Sequence, residues 1–149
     1  MSKLLSIGLI TCLLSTVLFS HQRSESYSKI NIDSTAESKS IEVEFSIQTS
    51  VLQRLNLNFT ENWDEELTNK VIGNFNFNKN CNISSKPFLK NSFSTGYLTL
   101  IWTMECELEE STINFELFFD EDPTHTHIST FRINSVASPE KVFTSSRRE

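Results

Sequence analysis

The chain of 149 residues has only three Gly, three Pro and three Cys. So few glycines exclude a collagen-like or glycine-loop protein and leave no cradle for phosphates. So few prolines exclude a Pro-rich linker or spacer. Bases are also short, with 13 Lys+Arg against 19 Asp+Glu, a net charge of −6 and an isoelectric point near 5.1. That balance argues against nucleic acid, which is met by a basic surface. No Gly-x-Ser-x-Gly elbow occurs, and no Cys-x-x-Cys. Without these signatures the chain reads as a non-enzyme with no identifiable small-molecule substrate. What remains is 38% hydrophobic and rich in Phe, with twelve of them, enough for the core of one ordinary domain.

One long apolar run exists, and it lies at the start. Lys3 precedes a stretch from Leu4 to Phe19, after which His21, Gln22 and Arg23 turn polar. This is the pattern of a secretory signal, shorter than the roughly twenty residues of a spanning helix. We read residues 1–20 as a signal peptide and 21–149 as a single exported β-rich domain, periplasmic or extracellular. Failure to cleave would instead hold the domain at the membrane. Lys3 is the only charged residue of the first twenty, so cleavage takes 13 bases to 12 and the net charge to −7. Cys81 and Cys106 survive, and in an oxidising compartment they are expected to pair. The sequons at Asn58 and Asn82 matter only in a eukaryotic secretory route.

The hydropathy pattern is mostly of period two. Ile41, Val43, Phe45 and Ile47 alternate with Glu42, Glu44, Ser46 and Gln48. Leu98, Leu100, Trp102, Met104 and Cys106 form a second apolar face. Ile113, Phe115, Leu117 and Phe119 form a third. Tyr27–Ile32 reads as a weaker strand. Phe75 and Phe77, His125–Ile133 and Lys141–Thr144 complete the set. Trp63, Leu67 and Val71 are spaced by four, behind Asp64, Glu65 and Glu66. They predict a helix over Asn62–Ile72, capped by Asn62 or Thr60 and ended by Gly73. A shorter helical turn fits Ser50–Leu55, and Ser145–Glu149 reads as a frayed end. The expected fold is mainly β, an antiparallel sandwich-like domain under one main helix.

Candidate chemistry reduces to three histidines. His125 and His127 are two apart on a strand, so their rings share a face. Either the rings are simply solvent-facing, or they reach one divalent transition metal, Ni²⁺ or Cu²⁺. Asp120, Glu121 and Asp122 lie just before them as possible oxygen donors. His21, if it heads the mature chain, couples an imidazole with a free α-amine and is a second metal candidate.

Three stretches resemble the exported N-terminal domain of hydrogenase/urease accessory proteins of the HupE/UreJ type. The first is the histidine-led start from His21 through Ser24, Ser26, Tyr27 and Ser28 to Ile32. The second is the pair Cys81 and Cys106. The third runs from Phe118 and Phe119 through Asp120, Asp122 and Pro123 to His125, with Val142–Thr144 and Arg147–Glu149 after it. The resemblance implies an accessory or metal-associated binding domain and a polytopic membrane protein as partner. The family's membrane permease domain has no counterpart in these 149 residues. The alternative from the residues alone is a disulfide-stabilised secreted interaction module with no metal role.

Overall fold

A computed structural model describes residues 24–35, 38–55, 62–77, 81–92, 96–107 and 113–148. The proposed signal peptide, His21, Thr60 and Asn58 lie outside the described residues. The elements are β1 (Glu25–Ser34), β2 (Lys39–Gln48), α1 (Thr49–Arg54), α2 (Trp63–Asn74), β3 (Phe75–Phe77), β4 (Cys81–Ile83), β5 (Phe88–Ser92), β6 (Tyr97–Cys106), β7 (Ile113–Phe115), β8 (Thr126–Ile133), β9 (Val136–Ala137) and β10 (Lys141–Phe143).

Eight strands form one sheet in the order β10-β8-β1-β2-β6-β4, with β5 also on β6 and β9 also on β8. The three long central strands are in register for their apolar faces. Ile41 pairs with Met104, Val43 with Trp102 and Phe45 with Leu100. All six are buried, while Glu42 and Glu105 on the opposite face are exposed. A one-residue slip would carry every one of these side chains to the wrong face, so the alternation itself fixes the pairing. A second, two-stranded sheet, β3 with β7, lies over this core. Phe75 meets Trp102 edge-on at 5.2 Å and Phe115 at 4.8 Å. Leu67 and Val71 of α2, and Val51 and Leu52 of α1, close the same side. The fold class is thus mainly β and sandwich-like, as the alternation predicts.

The differences are local and physical. The sheet is mixed rather than wholly antiparallel, because β1 and β8 run parallel. Helix α2 passes through Gly73 and stops at Asn74, whose Nδ2 donates to the Lys70 carbonyl at 2.8 Å. Asn62 occupies the N-cap position, but its side chain makes no capping bond. The period of Ile113, Phe115, Leu117 and Phe119 does not continue as a strand. β7 ends at Phe115, and Leu117, Phe118 and Phe119 are all buried in a turn where Phe118 has φ 59°. The C-terminal residues are tied down rather than frayed. The Phe115 amide donates to the Arg148 carbonyl at 3.0 Å, and Thr144 and Arg147 exchange backbone bonds. Strands β4, β5 and β9 are too short or too polar to show a period.

Cys81 and Cys106 are disulfide-bonded and directly opposite each other in the β4–β6 register. Cys106 is buried on the face of Trp102, as its parity requires. The bond fastens the short edge strand β4 to the longest apolar strand. Reduction, or replacement of both cysteines by Ser, is expected to lower unfolding free energy by about 2–5 kcal/mol. Urea titration with and without reductant checks this.

Candidate functional site

The inward face of β1 is unusual. Where β2 and β6 carry Ile, Phe and Trp, β1 carries Ser24 just before it, then Ser26 and Ser28, before Ile30 restores an apolar residue. Parallel neighbour β8 has the matching anomaly: His125, His127 and Ser129 precede Phe131 on the same face. All six polar residues are buried. A buried polar group without a partner costs roughly 1–3 kcal/mol, so two such faces are stable only against each other.

They meet as one continuous chain of hydrogen bonds. His125 bridges Ser24 (Nδ1 to Oγ, 2.7 Å) and Ser26 (Nε2 to Oγ, 2.8 Å). His127 bridges Ser26 (Nδ1, 2.7 Å) and Ser28 (Nε2, 3.0 Å). Ser28 ends the run on Ser129 at 2.6 Å. The period of two on each strand makes this possible. Each imidazole spans two serines of its parallel neighbour, and Ser26 serves both rings. Aromatic side chains enclose the rings. Phe45 stacks on His127 at 5.9 Å and Phe115 lies 4.9 Å from it, while Phe118 and Phe119 flank His125.

A neutral imidazole has one N–H and one bare nitrogen, so each ring donates to one of its two serines and accepts from the other. At the outer end of the run the Ser24 hydroxyl also helps to lower the Asp122 pKa. Burial pushes His125 down to about 4, against the opposing charges of Asp122, Glu25 and Glu121. Burial and the neighbouring His125 push His127 down to about 3. A second proton on either ring would make both its nitrogens donors, so the serine that had donated to it would have to turn its own proton away.

The acidic turn before β8 is clamped by cations from both helices and from the C-terminal segment. Arg148 Nη2 donates to Asp120 at 3.1 Å, and Lys70 of α2 pairs with Glu121. Arg54 of α1 lies 3.8 Å from Asp122. Burial alone would raise the Asp122 pKa. Side-chain and backbone bonds from Thr124, the bond from Ser24 and the Arg54 charge together hold it lowered. Arg148 and Lys70 also lie over the Phe119 and Phe118 rings, at 5.6 and 5.9 Å. The turn thus ties both helices and the C-terminal segment to the start of β8.

The histidine pair does share a face, as its spacing predicts, but that face is the core and not solvent. Asp120 is turned to Arg148, and Asp122 meets His125 through its backbone carbonyl, which accepts from the His125 amide at 2.9 Å. Each ring nitrogen already has a serine hydroxyl. Ser26 has one proton to give, so the unprotonated nitrogens of the two rings address different serines. Among the described residues no group of three or more His, Cys, Asp or Glu side chains is arranged to hold a metal ion. His21 lies outside the described residues. The residues missed in the sequence are Ser24, Ser26, Ser28 and Ser129. The available signal was two polar runs of equal period, one on each of two strands.

No family model matches the chain, and no curated protein matches it.

Two outcomes follow from the hydrogen-bonded seam. The unfolded histidines bind protons below their ordinary value of 6.5, whereas the folded ones do not until pH 4 or 3. Stability is therefore full above pH 6.5 and is lost as pH falls from there toward 4, by on the order of 5 kcal/mol. Urea midpoints measured across that window check this. Ser26→Ala strands one nitrogen on each ring and is expected to destabilise by about 2–4 kcal/mol. Ser46→Ala, which removes a half-buried bond to Thr99 on the other face, should cost under about 1 kcal/mol in the same measurement.

Proposed function

We propose that the chain is an exported, non-enzymatic binding domain, held by its disulfide, in which the histidine pair is an internal seam and not the seat of a metal. One observation carries the reading: the four ring nitrogens of His125 and His127 are all bonded to buried serines. Metal coordination there would require hydroxyls to be displaced from an aromatic enclosure, leaving them without partners. The resemblance to the exported part of HupE/UreJ-type proteins is compatible with it. The histidine-led start and the acidic Pro-containing turn are far apart in the chain, yet Ser24 and Ser26 of the first are bonded to His125 of the second. On this view those two stretches belong together for folding. The acidic clamp at Asp120–Asp122 then joins the seam to the rest of the domain. A polytopic membrane protein is the partner that the resemblance suggests, and binding would use the solvent-facing surface.

The competing reading, a metal-associated domain with Ni²⁺ or Cu²⁺ at His125 and His127, is tested without any variant. The exported chain is titrated with Ni²⁺ or Cu²⁺ at neutral pH while the imidazole nitrogens are followed by long-range ¹H–¹⁵N NMR. We expect the two buried rings to keep their neutral-imidazole signals through micromolar metal, with any broadening confined elsewhere. Selective loss of both sets of ring signals at stoichiometric metal would overturn the proposal and restore the metal-associated reading.

A further inference from the structure

The end of the sheet farthest along β1 and β8 from the seam has two features that core packing does not require. The first is an apolar hairpin tip. β8 turns into β9 through Asn134 and Ser135, with φ of 47° and 68°, the pair of positive values that a two-residue type I′ hairpin needs. The residues flanking the turn, Ile133 and Val136, are cross-strand partners with 47% and 70% of their surface exposed. Val136 is the most exposed large apolar side chain among the described residues. The second feature is a cavity of about 460 Å³ one residue back along the same hairpin. Lys29 and Arg132 line it, with Asn31, Thr130 and Ser138 supplying polar groups and Phe131 an apolar wall. Lys29 has a loose, exposed pair with Glu44 at 3.7 Å. Among the described residues Arg132 has no ion-pair partner.

These features are joined by the ladder, since Arg132 pairs with Asn31 and Ala137 while Ile133 pairs with Val136. Two cations around a polar cavity suit a phosphate, and an exposed apolar tip beside them suits the boundary between lipid headgroups and acyl chains. The surrounding protein is acidic, and Asp33 is exposed near the tip. General attraction to an anionic surface is therefore unfavourable, and contact depends on this one end.

We propose that this end docks on an anionic phospholipid surface, with Ile133 and Val136 entering the interface and Arg132 and Lys29 holding a headgroup phosphate. The proposal does not rest on the absence of a metal role. Flotation of the exported chain with phosphatidylcholine vesicles, with and without about 30% phosphatidylglycerol, tests it. Binding is expected only to the anionic vesicles, and should weaken as salt is raised. Arg132→Glu removes two units of favourable charge and should weaken it about tenfold or more. Ile133→Ser/Val136→Ser should weaken it comparably. All three side chains are exposed, so unchanged melting of the variants shows that they fold. Equal binding to neutral vesicles, no binding to either, or binding indifferent to these substitutions would overturn the proposal. Glycerol phosphate serves as a soluble probe in calorimetry. If it binds with the same affinity to the chain and to the Ile133→Ser/Val136→Ser variant, and vesicles do not bind, the cavity is a free-phosphate site and the membrane assignment fails.

Discussion

The domain depends on a polar seam inside an apolar core. Ser24, Ser26 and Ser28 on one side and His125, His127 and Ser129 on the other place hydroxyls and imidazoles where the neighbouring strands place Phe, Trp and Ile. Neither half is stable alone, because unpaired groups at that depth are penalised severely. Together they leave no nitrogen in the run without a partner. The parallel pairing of β1 with β8 follows from this constraint. Packing of apolar side chains alone is permissive about register and partner, whereas a run of directed bonds is not.

The rest of the architecture holds that seam in place. The aromatic residues around it, from Phe45 on β2 to Phe115 on β7 and Phe143 on β10, exclude water and so keep the imidazoles neutral. The clamped turn at Asp120–Asp122 has two roles. Its carboxylates draw α1, α2 and the C-terminal segment together, and the Asp122 carbonyl accepts from the His125 amide at the head of β8.

Much of the sheet was legible in the sequence, for a simple reason. β2 and β6 have one wet and one dry face, so alternation of Glu with Ile or Phe states their parity directly. Helix α2 was legible because Leu67 and Val71 recur at the helical period. β1 read as weak because its dry face is made of serines, which resemble turn residues when taken alone. The same feature misplaced the histidines. A strand that presents His-x-His resembles a wet face until its parallel partner is known, and nothing local names that partner. The turn at Phe118 was hidden in the same way. Leu117 and Phe119 keep the period of a strand, while the backbone between them takes a left-handed conformation that the pattern cannot show. The disulfide was legible from arithmetic, since only Cys81 and Cys106 lie beyond the apolar run at the start of the sequence.

The parallel pairing also places a schedule on the molecule. The hydroxyl of Ser24 and the ring of His125 are 101 positions apart, with almost the entire domain between them. During synthesis β1 precedes the other described strands and has no apolar face over Ser24–Ser28 on which to collapse. Its proper neighbour is among the last segments to follow. Closing so long a loop is slow compared with forming the β1–β2 and β2–β6 ladders. The serines therefore keep the leading strand soluble while it waits, and the arrival of His125 and His127 completes the fold.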